Sequence, residues 1–223
     1  MAEANEKKLV AELVALPCSA ISDALDRLGI EGQAQGLKPL DPGFRLAGPA
    51  FTVKYEPCGV VKGTVGDYID DVPEGAVVVL DNAGREDCTV WGDILTAVSD
   101  RTGVAGTVIH GVCRDTALSR EIGYPIYSRG YFMRTGKERV QADAVNVPVS
   151  LGSVRVHPGD ILIGDSDGIV VVPREQAAEV LKAAREIEDA ENAIREAVTK
   201  GATIREAREK FRYHALQSKE KKS

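Results

Sequence analysis

The stretch VWGDILTAVSDRTGVAGTVIHGVCRDT, residues 90–116, decides how this chain is read. It opens on Trp91-Gly92-Asp93 and closes on Arg114-Asp115. Residues 93–101 read as a helix closed near Gly103, and GTVIHG as a short buried strand. If the helix doubles back beside the strand, an acid at one end and an Arg-Asp pair at the other converge. A helix of about eight to ten residues followed by a glycine turn permits that return.

The residue types at these two ends suit an oxoacid. The first amides of a helix lack internal partners and sit at the positive end of its dipole, so they can donate hydrogen bonds to a small carboxylate. Gly92 lets a ligand approach the backbone closely. Arg114 offers a planar fork for a carboxylate and a neighbouring keto oxygen. Asp115 supplies a hard oxygen ligand for Mg²⁺ or Mn²⁺, and Asp93 could hold a water of that ion. Negative charge developing on a 2-keto oxygen would then be stabilised by metal and arginine together, as retro-aldol cleavage or 2-oxoacid decarboxylation requires. An aspartate at a helix start also serves as a cap, and an Arg-Asp pair as a surface ion pair, so spacing alone leaves both readings open.

The rest of the chain frames this segment. Residues 6–16 read as a helix stopped by Pro17. CSAISDALDRLGI reads as a second, capped by Ser19 or Ser22 and ended by Gly29. GPAFTVKYE and AVVVLDN read as strands, the second entered by the turn Pro73-Glu74-Gly75. Further strands are predicted in YPIYSRG, ADAVNVPVSLG, SVRVHPGD and ILIGDSDGIVVVP, where GDSDG is an Asp-rich turn rather than a cation loop. Apolar residues from Val180 to Val198 recur at helical spacing, Gly201 stops that helix, and Thr203 to Glu206 form a capping box. The division is an α/β body over residues 1–172 and a helical tail over 173–223. The tail's apolar stripe suggests a subunit interface.

Composition bounds the function. The 223 residues carry a net charge of −6, which argues against nucleic acid as the main partner, although residues 208–222 are locally basic. No apolar run approaches the ~20 residues of a membrane span, and the amphipathic N-terminus lacks a signal peptide's apolar core, so a cytoplasmic protein is expected. Cys18, Cys58, Cys88 and Cys113 contain no C-x-x-C pair and read as free, mostly buried thiols. With only His110, His157 and His214, a His-rich metal site is disfavoured and carboxylate ligands are expected. His110 reads as a satisfied core histidine and Cys113 as a small apolar filler. No glycine-rich turn follows the first strand, so neither a dinucleotide nor an S-adenosylmethionine site is expected, and no organic cofactor.

Asp93, twenty residues, then Arg114-Asp115 resembles the D-x20-R-D signature of the RraA-like family. SAISDALDRLG, GPAFTVK and VHPGDILIGDSDGIVVVPREQAAEVL are similar to its opening helix, first core strand and closing segment. That family contains the metal-dependent class II 4-hydroxy-4-methyl-2-oxoglutarate/4-carboxy-4-hydroxy-2-oxoadipate (pyruvate) aldolases and the regulator of ribonuclease E activity. The resemblance implies a compact swivelling ββα layered fold with mixed sheets and a barrel-like core, helical extensions at both ends, and a homotrimer or homohexamer with sites at subunit interfaces. It implies that Arg114 binds the pyruvyl part, Asp115 ligates the metal, Asp93 orients water, and the Ile94 and Leu95 amides beside Gly92 bind the substrate carboxylate. Acids from a neighbouring subunit are also implied, with Asp23 and Glu188 or Glu191 as candidates. His110, where many aldolases carry Asp, and DNAGRED, in place of a glycine-rich loop, are departures expected to line the distal pocket. The presence of Asp93 favours the lyase, with possible oxaloacetate decarboxylation, over a non-catalytic regulator of ribonuclease E.

Overall fold

The structure, a computed structural model, describes residues 2–211. Helices α1 (Ala2–Val14) and α2 (Cys18–Leu28) lead into short strands β1 (Gln33–Ala34) and β2 (Lys38–Pro39) and then the long β3 (Leu46–Pro57). A 3₁₀ turn at Asp67–Asp71 precedes β4 (Val77–Thr89), α3 (Asp93–Arg101), β5 (Gly106–Cys113), α4 (Thr116–Ile122) and β6 (Ile126–Tyr131). Strands β7 (Val140–Val145), β8 (Val149–Leu151), β9 (Val154–Val156), β10 (Ile161–Asp165) and β11 (Gly168–Val172) follow, then α5 (Ala177–Thr199) and α6 (Ile204–Lys210).

The main sheet has the order β1-β11-β10-β3-β4-β5-β6-β2, with β7 added to β3. Pairs β3–β4, β4–β5 and β5–β6 are parallel; the others are antiparallel. The edge strands β1 and β2 are separated only by residues 35–37, so the sheet curls back on itself. The expected mixed α/β architecture with a barrel-like core is therefore what the chain adopts.

Strand alternation sorts side chains between an inner and two outer apolar clusters. Val77, Val79, Val108, Tyr127, Leu162 and Val171 pack inside. Val78, Leu80 and Ile109 face outward beneath Trp91 and Tyr124. Ile161, Ile163, Val170 and Val172 face outward under α1, α2 and α5. Burial on both faces explains why the central strands read as continuous valine runs.

Several details depart from the sequence reading. Neither Ser19 nor Ser22 caps α2: Pro17 holds the cap position and lends no side chain. Instead the Cys18 N–H donates to Asp165 Oδ2 at 2.8 Å, while the Asp167 N–H donates to Asp165 Oδ1 at 2.9 Å. The Asp-rich turn is thus the β10–β11 hairpin, and its first aspartate caps a helix 147 residues away in sequence. ADAVNVPVSLG is two strands, because Asn146 turns at φ 54° and Pro148 lacks an amide hydrogen. The apolar stripe of α5 is covered within the chain: Val180, Leu181, Ala184 and Ile187 are buried in the cluster with Ile21 and Leu25 of α2. Gly29 (φ 71°) and the Thr203–Glu206 capping box stand as expected.

Asp165→Ala removes the cap of α2 and the acceptor in the turn, and Asp165 is only 7% exposed. Stability is expected to fall by about 1–3 kcal/mol, measured by urea unfolding; Asp165→Asn, which keeps one acceptor oxygen, is expected to lose less.

Candidate functional site

The two ends of the opening stretch meet. The Arg114 N–H donates to the Trp91 carbonyl at 2.9 Å, so the end of β5 lies against the entry to α3. Arg114 Nε is 3.1 Å from Asp115 Oδ2, and both side chains are about 40% exposed. A methyl group at Gly92 would lie 2.9 Å from Asp115 Oδ2 and 3.5 Å from Arg114 Nε, which is the close approach that glycine permits. Asp115 itself sits at φ 54°, ψ 41°, a left-handed conformation uncommon outside glycine. It precedes α4 but does not cap it, because its carboxylate faces Arg114.

Gly92 is the N-cap residue of α3 and has no side chain to satisfy the first amides. Asp93 Oδ1 accepts from the Ile94 N–H at 2.8 Å. A carboxylate bound to that amide must therefore displace Asp93, a competition the sequence does not reveal. Gly92, Asp93, Ile94, Leu95 and Arg114 all line one cleft of about 370 Å³. Its other walls are residues 63–67, 89–91 and 135–137, which bring Thr64, Asp67, Thr135 and Lys137 to the same space. Sequence reading missed these four. The glycines at 59, 63, 66 and 136 mark loops, but nothing local says that two distant loops close on one cleft.

Other candidates lie elsewhere in the chain. Asp23 is on α2, and Glu188 and Glu191 on α5 bind Arg195 at 2.6 and 3.1 Å. None of the three lines the cleft. His110 Nδ1 is 3.2 Å from Asp81 Oδ1, with side chains 14% and 15% exposed. His110 is satisfied, as read, but neither it nor residues 81–87 reach the cleft at Arg114. Asp81, Asn82, Ala83 and Arg85 border a separate hollow of about 260 Å³, because a bulge with Ala83 at φ 52° and Gly84 at φ 69° turns that loop aside. Cys113 lies behind Arg114 and is fully buried. Burial pushes its thiol up to about 11, so it stays protonated at neutral pH. All four cysteines are free, three of them buried. His214 and most of the basic C-terminal end lie outside the described residues.

Among the described residues no three His, Cys, Asp or Glu side chains gather as a ligand cluster. Asp115 offers a part-exposed carboxylate beside the cleft, with Asp93 on its wall. Such a donor set fits a hard cation that keeps most of its waters. Among the described residues no helix is long and apolar enough to cross a membrane.

Comparison with known proteins gives consistent results. The family described as RraA-like, Aldolase/RraA, matches residues 18–171. The chain is 39% identical over 208 residues to Protein DlpA of Legionella pneumophila, covering 92% of this chain but 34% of that protein, so it spans about a third of that relative's length. It is 34% identical over 185 residues to a Halalkalibacterium halodurans protein provisionally named 4-hydroxy-4-methyl-2-oxoglutarate aldolase, covering 81% of this chain and 83% of that one. A crystal structure of an uncharacterised Pseudomonas syringae protein superposes with a TM-score of 0.85 at 44% identity, over 91% of this chain and 97% of that one. Streptomyces coelicolor RraAS2, described as an unusual member of the RNase ES inhibitor RraA family, gives 0.76 at 31% identity, over 83% and 94%.

Burial works to raise the Asp81 carboxyl, but bonds from His110 and from the Ser150 and Ala83 amides outweigh it and hold it below its ordinary value. A depressed carboxyl adds stability that is present above the unfolded value near ~3.9 and is lost as pH falls through the folded value. Asp81→Asn is therefore expected to flatten the acid limb of a stability–pH curve taken from about pH 6 downward by thermal melts.

Proposed function

The chain belongs to the RraA-like family, and we propose that it is a divalent-metal-dependent lyase. It cleaves a 4-hydroxy-2-oxoacid by retro-aldol reaction to pyruvate and a second oxoacid, and decarboxylates oxaloacetate at the same site. The observation that carries this reading is the convergence of the Arg114-Asp115 pair on Gly92 at the start of α3, in one cleft. The aldolase names of relatives at 34% and 30% identity support the same chemistry.

Each residue has a task in this scheme. Arg114 holds the pyruvyl carboxylate and keto oxygen, and its charge stabilises the enolate as the C3–C4 bond breaks. The helix-start amides of Ile94 and Leu95 take the carboxylate once Asp93 releases Ile94. Asp93, freed at that moment, orders water for proton transfer at C3. Asp115 would hold Mg²⁺ or Mn²⁺, and a bound cation would supply Lewis acidity to the keto oxygen. A base must also take the C4 hydroxyl proton. In this reading a second copy supplies it, from Asp23 or from Glu188 or Glu191, none of which lines the cleft of its own chain, and the assembly is a homotrimer or homohexamer. Exposed apolar side chains support such an assembly. Ile94 (75% exposed) lies on the cleft wall, Val60 and Val61 precede the 63–67 wall, and Tyr131 and Met133 precede Thr135.

The likeness to RraAS2 favours one second reading, a protein-binding regulator of a ribonuclease E-type enzyme without chemistry of its own. Turnover separates the two. Pyruvate release from oxaloacetate or a 4-hydroxy-2-oxoacid is expected to vanish with EDTA and return with Mg²⁺ or Mn²⁺; undiminished turnover after verified metal removal ends the metal-dependent reading. Arg114→Ala is expected to lose about 10²–10³ in kcat, roughly 3–4 kcal/mol of transition-state stabilisation. Arg114→Lys, which keeps charge without the fork, is also damaged. Asp115→Ala weakens metal binding, whereas Asp93→Asn lowers turnover more than metal affinity. Near-wild-type kinetics for Arg114→Ala with an unchanged melt would make the pair a structural one.

Light scattering at micromolar concentration provides the assembly test. A mass of three chains or a multiple is expected, and a monomer counts against a base supplied by a second copy.

A further inference from the structure

We propose that Trp91, with Thr89 and Thr96, positions Arg114 against the start of α3, a role that rests on the lyase reading above. All three side chains are buried, at 1%, 3% and 1% exposure. The Trp91 carbonyl accepts the Arg114 N–H at 2.9 Å and is therefore the joint between helix entry and strand end. The Thr89 hydroxyl fixes that joint: it accepts the Trp91 N–H at 3.2 Å, and its hydrogen is shared between the Trp91 and Val112 carbonyls at 2.9 and 3.0 Å. The indole closes the other side. Trp91 Nε1 donates to Thr96 Oγ1 at 2.9 Å, and Thr96 Oγ1 donates to the Gly92 carbonyl at 3.0 Å. The ring stacks on Tyr124 with centroids 6.3 Å apart and planes 5° apart.

Gly92 is thus held through both the main chain and the ring of its neighbour, and Arg114 is hung from the same carbonyl. Each of the two hydroxyls and the indole N–H is committed to a hydrogen bond within this layer. Their effect is to set the separation between the helix-start amides and the guanidinium, where an error of about 1 Å costs on the order of 10²-fold in rate.

Trp91→Phe removes the indole N–H and leaves Thr96 bonded to Gly92. A double-mutant cycle with Arg114→Lys separates positioning from packing. The readouts are pyruvate-release kinetics, thermal melts, and calorimetric binding of oxalate, a planar stand-in for the enolate, with Mg²⁺ present. Trp91→Phe is expected to lower kcat about tenfold and to weaken oxalate binding in the wild-type background, but to change neither further once Arg114 is Lys, while its effect on the melt is the same in both. Equal losses in both backgrounds would overturn the proposal, as would unchanged kcat and oxalate affinity in Trp91→Phe. If Arg114→Lys alone behaves as wild type, the role assigned to Arg114 fails and the positioning role falls with it. Should Trp91→Phe not fold, Thr96→Val and Thr96→Ser carry the test: Val is expected to lower kcat and Ser to restore it, and equal activity in the two would overturn the proposal.

Discussion

Parallel pairing of β4 with β5 is the constraint on which the site depends. Two parallel neighbours need a crossover, and here α3 supplies it. The helix must start where β4 ends and carry the chain back, and β5 then returns to that same edge. The first turn of α3 and the last residues of β5 therefore share an edge of the sheet by topology, before any side chain is chosen. About nine helical residues rising ~1.5 Å each and eight strand residues at ~3.3 Å, plus a glycine turn, account for the gap between Asp93 and Arg114. Open α/β sheets place ligands outside the carboxyl ends of parallel strands for the same reason.

The convergence was legible because it is local in sequence. Periodicity marked the helix, Gly103 the return and a valine-rich run the strand, and together these brought Arg114-Asp115 back to Gly92. The helical tail was equally legible from its spacing and its capping box. Other features depend on contacts between distant segments, and the sequence is silent there. Asp165 caps α2 across 147 residues, although Ser19 is the residue type a capping rule would choose. Lys137 and Thr64 enter the cleft from loops whose glycines show only that the chain turns. The bulge at Ala83 and Gly84 sends Asp81, Ala83 and Arg85 to a different hollow, because a two-residue left-handed turn shifts strand register in a way that composition does not encode.

The electrostatics of the cleft are balanced rather than strongly basic. Arg114 faces Asp115, while Asp93 and Asp67 lie on walls shared with Lys137. A site of this kind gains little from bulk attraction of anions and depends on fixed donors at short range. That places the demand on geometry, and the layer at and behind the cleft wall is accordingly built from Trp91, Tyr124 and the hydroxyls of Thr89, Thr96 and Thr107 rather than from aliphatic packing alone. Hydrogen-bonded polar groups in a buried layer specify one arrangement where hydrocarbon would tolerate several.

The near-closure of the main sheet also has a consequence for how copies of this chain can meet. Its two outermost strands are only two residues long each, and one of them contains Pro39. At these two ends a neighbour seeking main-chain hydrogen bonds finds almost no ladder to extend, so strand addition there is disfavoured. A second copy approaching either end of the main sheet would meet side-chain surface in place of open backbone.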